Sequence, residues 1–144
     1  MKVLTIQEPY ATFIMQGMKK IETRSWKTKY RGEIYIHAGK SKNYLKKIKK
    51  QNILKLLKNL DLNYGNIICK AQLTDCIYIT EEFINKIKEG KNFEFILGEY
   101  EVGRYAWVLE NIEILKEQIP ARGKLNIWEY NVNYKFKKDM IKWK

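Results

Sequence analysis

The residue types best suited to chemistry lie together in segment 17–26, which reads Gly-Met-Lys-Lys-Ile-Glu-Thr-Arg-Ser-Trp. If this segment is extended, Glu22 and Arg24 point to one face, and Lys19 or Lys20 reaches the same carboxylate from the preceding loop. One interpretation is an ion-pair network that fixes the strand. The other is a site in which Glu22 orients two cations towards an anionic or amide-bearing ligand and Lys19, partly desolvated, acts as a base.

Other catalytic motifs find little support in the sequence. Gly98 and Gly103 have the outer spacing of a phosphate-binding P-loop, but Arg104 and Tyr105 occupy the positions that require Lys and Ser or Thr. A mechanism of the Ser-His-Asp or Cys-His type would depend on the single histidine, His37, which lies between apolar neighbours at the end of a predicted strand. A structural histidine and a catalytic base are both compatible with that position.

The cysteine and histidine content argues against a metal site. Cys69 and Cys76 are the two cysteines, and their spacing does not match a zinc knuckle or ribbon. Seven residues apart in a strand they face opposite sides, so we expect two reduced thiols, no metal and no cofactor. The sequence has no secretory signal pattern and no apolar run of membrane-spanning length, so a cytoplasmic protein without a membrane partner is expected.

The charge of the chain favours a polyanionic partner. The 28 Lys and Arg against 16 Asp and Glu give a net charge of +12 over 144 residues, and such an excess promotes binding to nucleic acid by neutralising phosphates. Lysine-rich usage also arises from an AT-biased genome, so the charge alone does not identify the partner. The length predicts a single domain over residues 1–144.

Apolar periodicity and turn signals predict an α+β fold, a twisted and partly closed β-barrel decorated by helices. The expected elements are strand 2–6, helix 9–16 ended by Gly17, strands 21–25 and 33–38 joined as a hairpin by Tyr30-Arg31-Gly32, a lysine-rich helix 41–60 capped by Ser41, strand 67–79, helix 80–90 capped by Thr80, strand 104–115 and strand 125–130. The lysine-rich helix is either continuous or interrupted at Gln51-Asn52. Residues 135–144 either pack back on the domain or fray.

Several blocks of the sequence resemble the ASCH (activating signal cointegrator homology) domain family. They are Gln-Glu-Pro-Tyr-Ala at 7–11, Gly-x-Lys-x-x-Glu-Thr-Arg-Ser-Trp at 17–26, Tyr-Arg-Gly at 30–32, Ile-His-Ala at 36–38, Gly-Arg-Tyr-Ala-Trp-Val-Leu-Glu-Asn at 103–111, Ile-Pro-Ala-Arg-Gly at 119–123 and Trp-Glu at 128–129. Segments 41–60 and 80–91 match the family least.

This resemblance implies a PUA-like β-barrel whose cleft is associated with RNA binding. By the family motif, Gly17, Lys19 and Glu22 are expected to line that cleft. The same matching implies further candidates for binding RNA or a nucleotide or nucleoside ligand: Arg24, Trp26, His37, Lys40, Arg104, Tyr105 and Trp128. Cations beside aromatic rings suit a stacked base with a paired phosphate.

Two classes of function remain open, and binding is favoured over catalysis. Some small members of the resembled family hydrolyse N4-acylated cytidine with a lysine and a threonine, and ribonuclease activity is also associated with the family. An enzyme of this kind would use Lys19, Glu22 and Thr23. Glu22 stands where that threonine is expected, however, and Thr23 follows one position later on the opposite face of an extended segment, which separates the nucleophile from its base.

Overall fold

A curled six-stranded sheet encloses the first helix of the chain, as seen in a computed structural model that describes residues 1–48, 51–90, 93–131 and 141–144. The elements are β1 (Lys2–Ile6), α1 (Tyr10–Met15), β2 (Ile21–Arg24), β3 (Gly32–Ala38), α2 (Asn43–Lys47), α3 (Gln51–Leu57), β4 (Asn66–Tyr78), α4 (Glu81–Glu89), β5 (Tyr105–Pro120) and β6 (Ile127–Glu129). The strand order is β2-β5-β4-β3-β1-β6. The fold is therefore α+β with a partly closed barrel, as the sequence predicts.

The sheet is antiparallel except between β1 and β3, which run parallel. The pairing of β4 with β5 shifts register at three places, and the pairing of β3 with β4 shifts at Ile36/His37. Such bulges increase the local twist and bend a strand. They allow two long strands to curl the sheet around α1.

The predicted hairpin between segments 21–25 and 33–38 is wrong. Strand β2 pairs with β5, whereas β3 pairs with β1 and β4. The Tyr30-Arg31-Gly32 turn signal is local, and the pairing is decided instead by long-range burial, since Ile21 joins an apolar cluster with Ala106 of β5 and Ile84 of α4. As a result β2 lies at one edge of the sheet, where its residues form a wall of a cleft.

Helix α1 ends at a glycine, as expected. Gly17 has φ +78, its N–H donates to the carbonyl of Ile14 at 3.0 Å, and the N–H of Met18 donates to the carbonyl of Phe13 at 2.9 Å. This pair of bonds defines a Schellman motif, in which the left-handed position favours glycine. The motif reverses the chain and delivers Lys19 to the rim of the sheet.

The main core lies between α1 and the concave face of the sheet. It includes Leu4, Ile6, Ala11, Ile14, Ile34, Ile36, Ile68, Leu73, Trp107 and Leu109, all at most 1% exposed. Helix α4 packs on the convex face, and Thr80 caps it as predicted, because its Oγ accepts a bond from the N–H of Phe83 at 3.1 Å. Within the described ranges, no helix is long and apolar enough to cross a bilayer.

The predicted lysine-rich helix 41–60 is two shorter helices. The residue after α2, Ile48, is extended (φ −74, ψ 118), and α3 begins at Gln51. Ser41 does not cap the helix: Lys42 holds the N-cap position without a side-chain bond, and Ser41 accepts only the N–H of Asn43. Tyr44 of α2 packs on Tyr10, and Ile53 of α3 is buried against Phe13.

The C-terminal residues within the described part pack back on the sheet. Trp143 pairs with Leu115, and the N–H of Lys144 donates to the carbonyl of Ile114 at 2.7 Å. This confirms one of the two alternatives for 141–144, while the rest of the predicted segment, 135–140, lies outside the described residues. Cys69 and Cys76 are free thiols, as predicted.

Candidate functional site

A cleft of about 240 Å³ opens between β2, the start of α1, Tyr44 of α2 and the segment that precedes β5. The charged side chains along it are Lys19, Glu22, Arg24, Glu99 and Arg104, and the aromatic ones are Tyr10, Trp26 and Tyr44. The sequence analysis had singled out five of these eight residues. The structure brings these five together from positions up to 85 residues apart in the chain, from Lys19 to Arg104.

Glu22 and Arg24 lie on one face of β2, as the strand periodicity predicts. Arg24 Nη1 is 3.6 Å from Glu22 Oε2 and donates to the carbonyl of Thr5 at 3.3 Å. The guanidinium also lies 5.5 Å from the ring centre of Trp26 and 5.8 Å from that of Trp107. These contacts hold the cation over apolar surface while its side chain remains 22% exposed, a position from which it can reach a ligand.

Lys19 is a buried cation at the base of the cleft. Its side chain is 1% exposed, its ammonium donates to the carbonyl of Ile21, and it lies 5.7 Å from the ring centre of Tyr10. Burial lowers the pKa of Lys19, and the negative charges of Glu22, Glu94 and Glu99 oppose that shift. Lys19 therefore loses its proton more readily than a surface lysine.

Glu22 balances the positive charges of the cleft. Burial raises the pKa of Glu22, whereas Lys19, Arg24 and Arg104 lower it in that order of effect. The carboxylate is 12% exposed and forms its ion pair with Arg24. Because it lies among three cations, the carboxylate of Glu22 orients their side chains.

Arg104 approaches the cleft from the residue before β5. Its Nη2 donates to the carbonyl of Thr23 at 3.0 Å, and its buried Nε has no hydrogen-bond acceptor among the described residues. The side chain of Thr23 belongs to the other face of the sheet, because its cross-strand partner Ala106 packs towards α4. Thr23 is 8% exposed, so the cleft meets its backbone and not a free hydroxyl.

Three aromatic rings complete the walls. Tyr10 and Tyr44 form an edge-to-face pair with centroids 5.3 Å apart. Trp26 packs edge-to-face on Trp107 at 4.6 Å, and the indole N–H of Trp107 donates to the carbonyl of Trp26. Burial raises the pKa of Tyr10 to about 12, so its hydroxyl remains a neutral hydrogen-bonding group at physiological pH.

One wall of the cleft, segment 93–104, was missed by the sequence analysis. Glu94 is 5% exposed and accepts hydrogen bonds from the N–H of Lys20 and, at 3.3 Å, from the hydroxyl of Tyr100. Gly98 packs so closely on Tyr100 that a Cβ there would overlap the ring. Glu94 thus fixes this segment against the loop that carries Lys19. The available signal was an acid between two phenylalanines outside any helical pattern.

Five residues expected at the ligand site do not line this cleft. Gly17 shapes the end of α1, and Tyr105, at the start of β5, packs on Tyr78 at the end of β4. Lys40 lies with its aliphatic stem over Gly65. His37 and Trp128 form an edge-to-face pair with centroids 5.8 Å apart, behind β1. Tyr10, Tyr44 and Glu99, which were not predicted, take their place beside the cations.

His37 belongs to a chain of hydrogen bonds that joins it to the cleft through Thr5. His37 Nε2 lies 2.8 Å from the carbonyl of Ala121, an acceptor only, so Nε2 carries the proton and Nδ1 accepts from the hydroxyl of Thr5 at 3.1 Å. That hydroxyl in turn accepts the indole N–H of Trp128 at 3.0 Å. The Thr5 carbonyl binds Arg24, so this network supports the cleft from behind.

Protonation of His37 is expected to destabilise the fold. Burial lowers the pKa of His37, so between that pKa and the unfolded value of about 6.5 the unfolded chain binds the extra proton, and the free energy of unfolding falls as pH is lowered. His37→Gln keeps an amide donor for Ala121 and does not titrate. Urea unfolding of both proteins between pH 7.5 and pH 5 should show a flatter pH dependence for His37→Gln; parallel curves would contradict this assignment.

The described residues contain no group of three or more His, Cys, Asp or Glu side chains arranged to hold a metal ion. The cleft instead combines guanidinium, ammonium and carboxylate groups with aromatic rings. Such a set binds anions through Arg and planar ligands through the rings.

Comparisons with known proteins agree with the fold and the motif blocks. A model of the ASCH domain family matches residues 4–133. Activating signal cointegrator 1 of Homo sapiens is 26% identical over 128 residues, and that of Mus musculus 25% over 127; each match covers 88% of this chain and 22% of the relative. The chain thus spans about a fifth of the length of these relatives. Among solved structures, ASCH from Zymomonas mobilis has a TM-score of 0.51 at 17% identity, covering 83% of this chain and 72% of that one, a likeness of fold.

Proposed function

This chain belongs to the ASCH domain family, and on that premise we propose that its cleft binds RNA by accepting one nucleotide or modified nucleoside of a single strand. The observation that carries the proposal is the convergence of Arg24 and Arg104 on a cleft that is also lined by three aromatic rings. Guanidinium groups bind phosphate through paired N–H donors, and rings stack on bases.

The phosphate is assigned to the two arginines. Arg24 already has its carboxylate partner and a backbone acceptor, which fix the orientation of the guanidinium before a ligand arrives. Arg104 adds a second guanidinium along the cleft, held by its bond to the carbonyl of Thr23. A preorganised pair of this kind loses little side-chain entropy on binding.

The base is assigned to the aromatic walls. Tyr10 of α1, Tyr44 of α2 and Trp26, which follows β2, border the same space. Its volume of about 240 Å³ is below the roughly 300–1,000 Å³ typical of pockets for drug-sized ligands, which suits a single base or nucleoside. The exposed amide of Gln7 also borders the cleft and offers a donor and an acceptor for a base edge.

The salt dependence of RNA binding tests this proposal. Neutralising one phosphate of a single strand lowers log K by about 0.7 for each tenfold rise in salt. We expect fluorescein-labelled single-stranded pentanucleotides of A, C or U to bind with a slope of at least that size, as measured by anisotropy between 50 and 300 mM KCl. An absence of binding at 50 mM KCl, or a slope near zero, would contradict the proposal.

A second candidate function is hydrolysis of an RNA component, and the lowered pKa of Lys19 is the observation that favours it. A lysine that releases its proton more readily than a surface lysine, placed beside Glu22, suits proton abstraction. Against it, the side chain of Thr23 faces away, so the nucleophile would have to be water or the hydroxyl of Ser25, which also borders the cleft. Incubation with N4-acetylcytidine and with RNA decides between the candidates, since binding alone predicts neither free acetate nor shortened RNA.

A further inference from the structure

A row of side chains extends from the cleft across the end of the sheet. Arg24 of β2 pairs with Tyr105 of β5, and Tyr105 pairs with Tyr78 of β4. Residues directly opposite each other in antiparallel strands point to the same face with Cβ atoms about 5 Å apart. Arg24, Tyr105 and Tyr78 therefore form one continuous row on the concave face.

The next row inwards supports this placement. It consists of Glu22, Trp107 and Cys76, which pair in the same three strands. Trp107 is fully buried and contacts both Arg24 and Trp26 at the cleft. The inner row thus reaches the cleft through Glu22 and supports Arg24 and Trp26 through Trp107, and the outer row lies where the three strands begin or end.

Tyr78 exposes an aromatic ring beside a cationic site. It is 51% exposed although it lies within a strand, and its ring makes an edge-to-face contact with Tyr105, with centroids 5.6 Å apart and planes at 75°. In an edge-to-face pair, at least one ring presents a free face. Isolated exposed apolar side chains are ordinary on protein surfaces, but this one continues the row that ends at Arg24.

We propose that Tyr78 and Tyr105 form a second base-stacking site, which accepts the nucleotide next to the one in the cleft. This inference rests on the proposed function, since Arg24 is the phosphate-binding group between the two bases. Single-stranded nucleic acid binds along surfaces where aromatic rings alternate with cations, because every base has a stacking face. The molecule provides this order: the cleft for one base, the guanidinium of Arg24 for the phosphate, and the rings of Tyr78 and Tyr105 for the next base.

The experiment compares mononucleotides with short strands. Affinities of AMP, CMP and UMP are measured by competition, and those of the corresponding homopentanucleotide RNAs by anisotropy. Tyr78→Ala should weaken pentanucleotide binding about tenfold, the loss of one stacked base, and leave mononucleotide affinity unchanged. Tyr78→Phe keeps the ring and should bind like the wild type. Tyr78→Leu keeps apolar contact with Tyr105 without a flat ring, so it should repeat the loss even if Tyr78→Ala folds poorly.

Controls separate this inference from the proposed function. Leu125→Ala removes an apolar side chain that is 89% exposed and does not border the cleft, and it should leave both affinities unchanged. Arg24→Ala should weaken both classes of ligand if the cleft binds nucleotides. If Arg24→Ala weakens both but Tyr78→Ala weakens neither, the second site is wrong and the cleft stands. An equal loss for mononucleotides and pentanucleotides in Tyr78→Ala would also overturn the second site.

Discussion

Replacing Arg24 with alanine is expected to weaken binding to single-stranded RNA by about 30-fold or more, because truncating one partner of a partly buried, charge-assisted contact costs on the order of 2–5 kcal/mol. The guanidinium is held by Glu22 and by the carbonyl of Thr5, at 3.6 Å and 3.3 Å respectively, so its geometry is fixed before binding. Loss of this contact should also reduce the salt slope by about 0.7, the share of one phosphate on a single strand.

Two further variants make the Arg24 result specific. Arg24→Lys retains the charge without the planar guanidinium, so its loss of RNA affinity should be smaller than that of Arg24→Ala. Arg31→Ala removes an arginine that is 40% exposed and paired with Asp75, away from the cleft, and serves as the matched control for net charge. Anisotropy titrations at several KCl concentrations measure all three. If Arg31→Ala weakened binding as much as Arg24→Ala, the overall charge of +12 would be responsible and the cleft would not be the phosphate site.

Local signals account for the parts of this fold that the sequence predicted correctly. Gly17 occupies a left-handed position that few other residues adopt, and Thr80 precedes two glutamates at the start of α4. Both features act within one helical turn. The shared face of Glu22 and Arg24 likewise follows from the two-residue period of a strand.

Long-range pairing accounts for what the sequence did not predict. Strand β2 meets β5, some 80 residues later in the chain, in place of the nearby β3. The same long separation in the chain prevented the prediction of Glu99 as a cleft residue and of Glu94 as its support. Segment 93–104 contributes to the cleft only because it packs against the loop carrying Lys19. No local pattern specifies such a contact; it arises when apolar faces on several elements are buried together.

The sequence motifs also grouped residues that line the cleft with residues that lie behind the strand bordering it. His37 and Trp128 lie in the matched blocks yet sit behind β1, bonded through Thr5, whose carbonyl binds Arg24. A motif identifies positions near a site but does not state which side of a strand each side chain takes. Here the fully bonded His37 has a supporting position, and the cleft uses tyrosines from α1 and α2 instead.

Replacing Lys19 with methionine is expected to stabilise the protein at pH 7 and to weaken RNA binding. The lysine is 1% exposed, and burial lowers its pKa in spite of three nearby carboxylates. The folded state thus disfavours the ammonium relative to water, and an unbranched apolar side chain of similar length removes that cost. Removing one partner of a buried ion pair is destabilising when it leaves the other charge uncompensated, but Glu22 keeps Arg24 and Arg104 as positive neighbours. The cleft meanwhile loses a positive charge that attracts phosphate.

The pH dependence of the Lys19→Met effect provides its test. Between the lowered folded-state pKa and the unfolded value of about 10.4, the unfolded chain holds a proton that the folded wild type has released, so wild-type stability gains with rising pH from this group. Methionine does not titrate, so the difference in free energy of unfolding between Lys19→Met and the wild type should shrink from pH 7 to pH 9.5, as measured by urea unfolding. Lys19→Ala, which leaves a cavity, should be destabilised and serves as the packing control. If Lys19→Met were as unstable as Lys19→Ala at both pH values, the contacts of the ammonium with Ile21 and Tyr10 would outweigh its desolvation. A more stable variant that binds RNA poorly would mean that the domain keeps a buried charge, at a cost in stability, for its ligand.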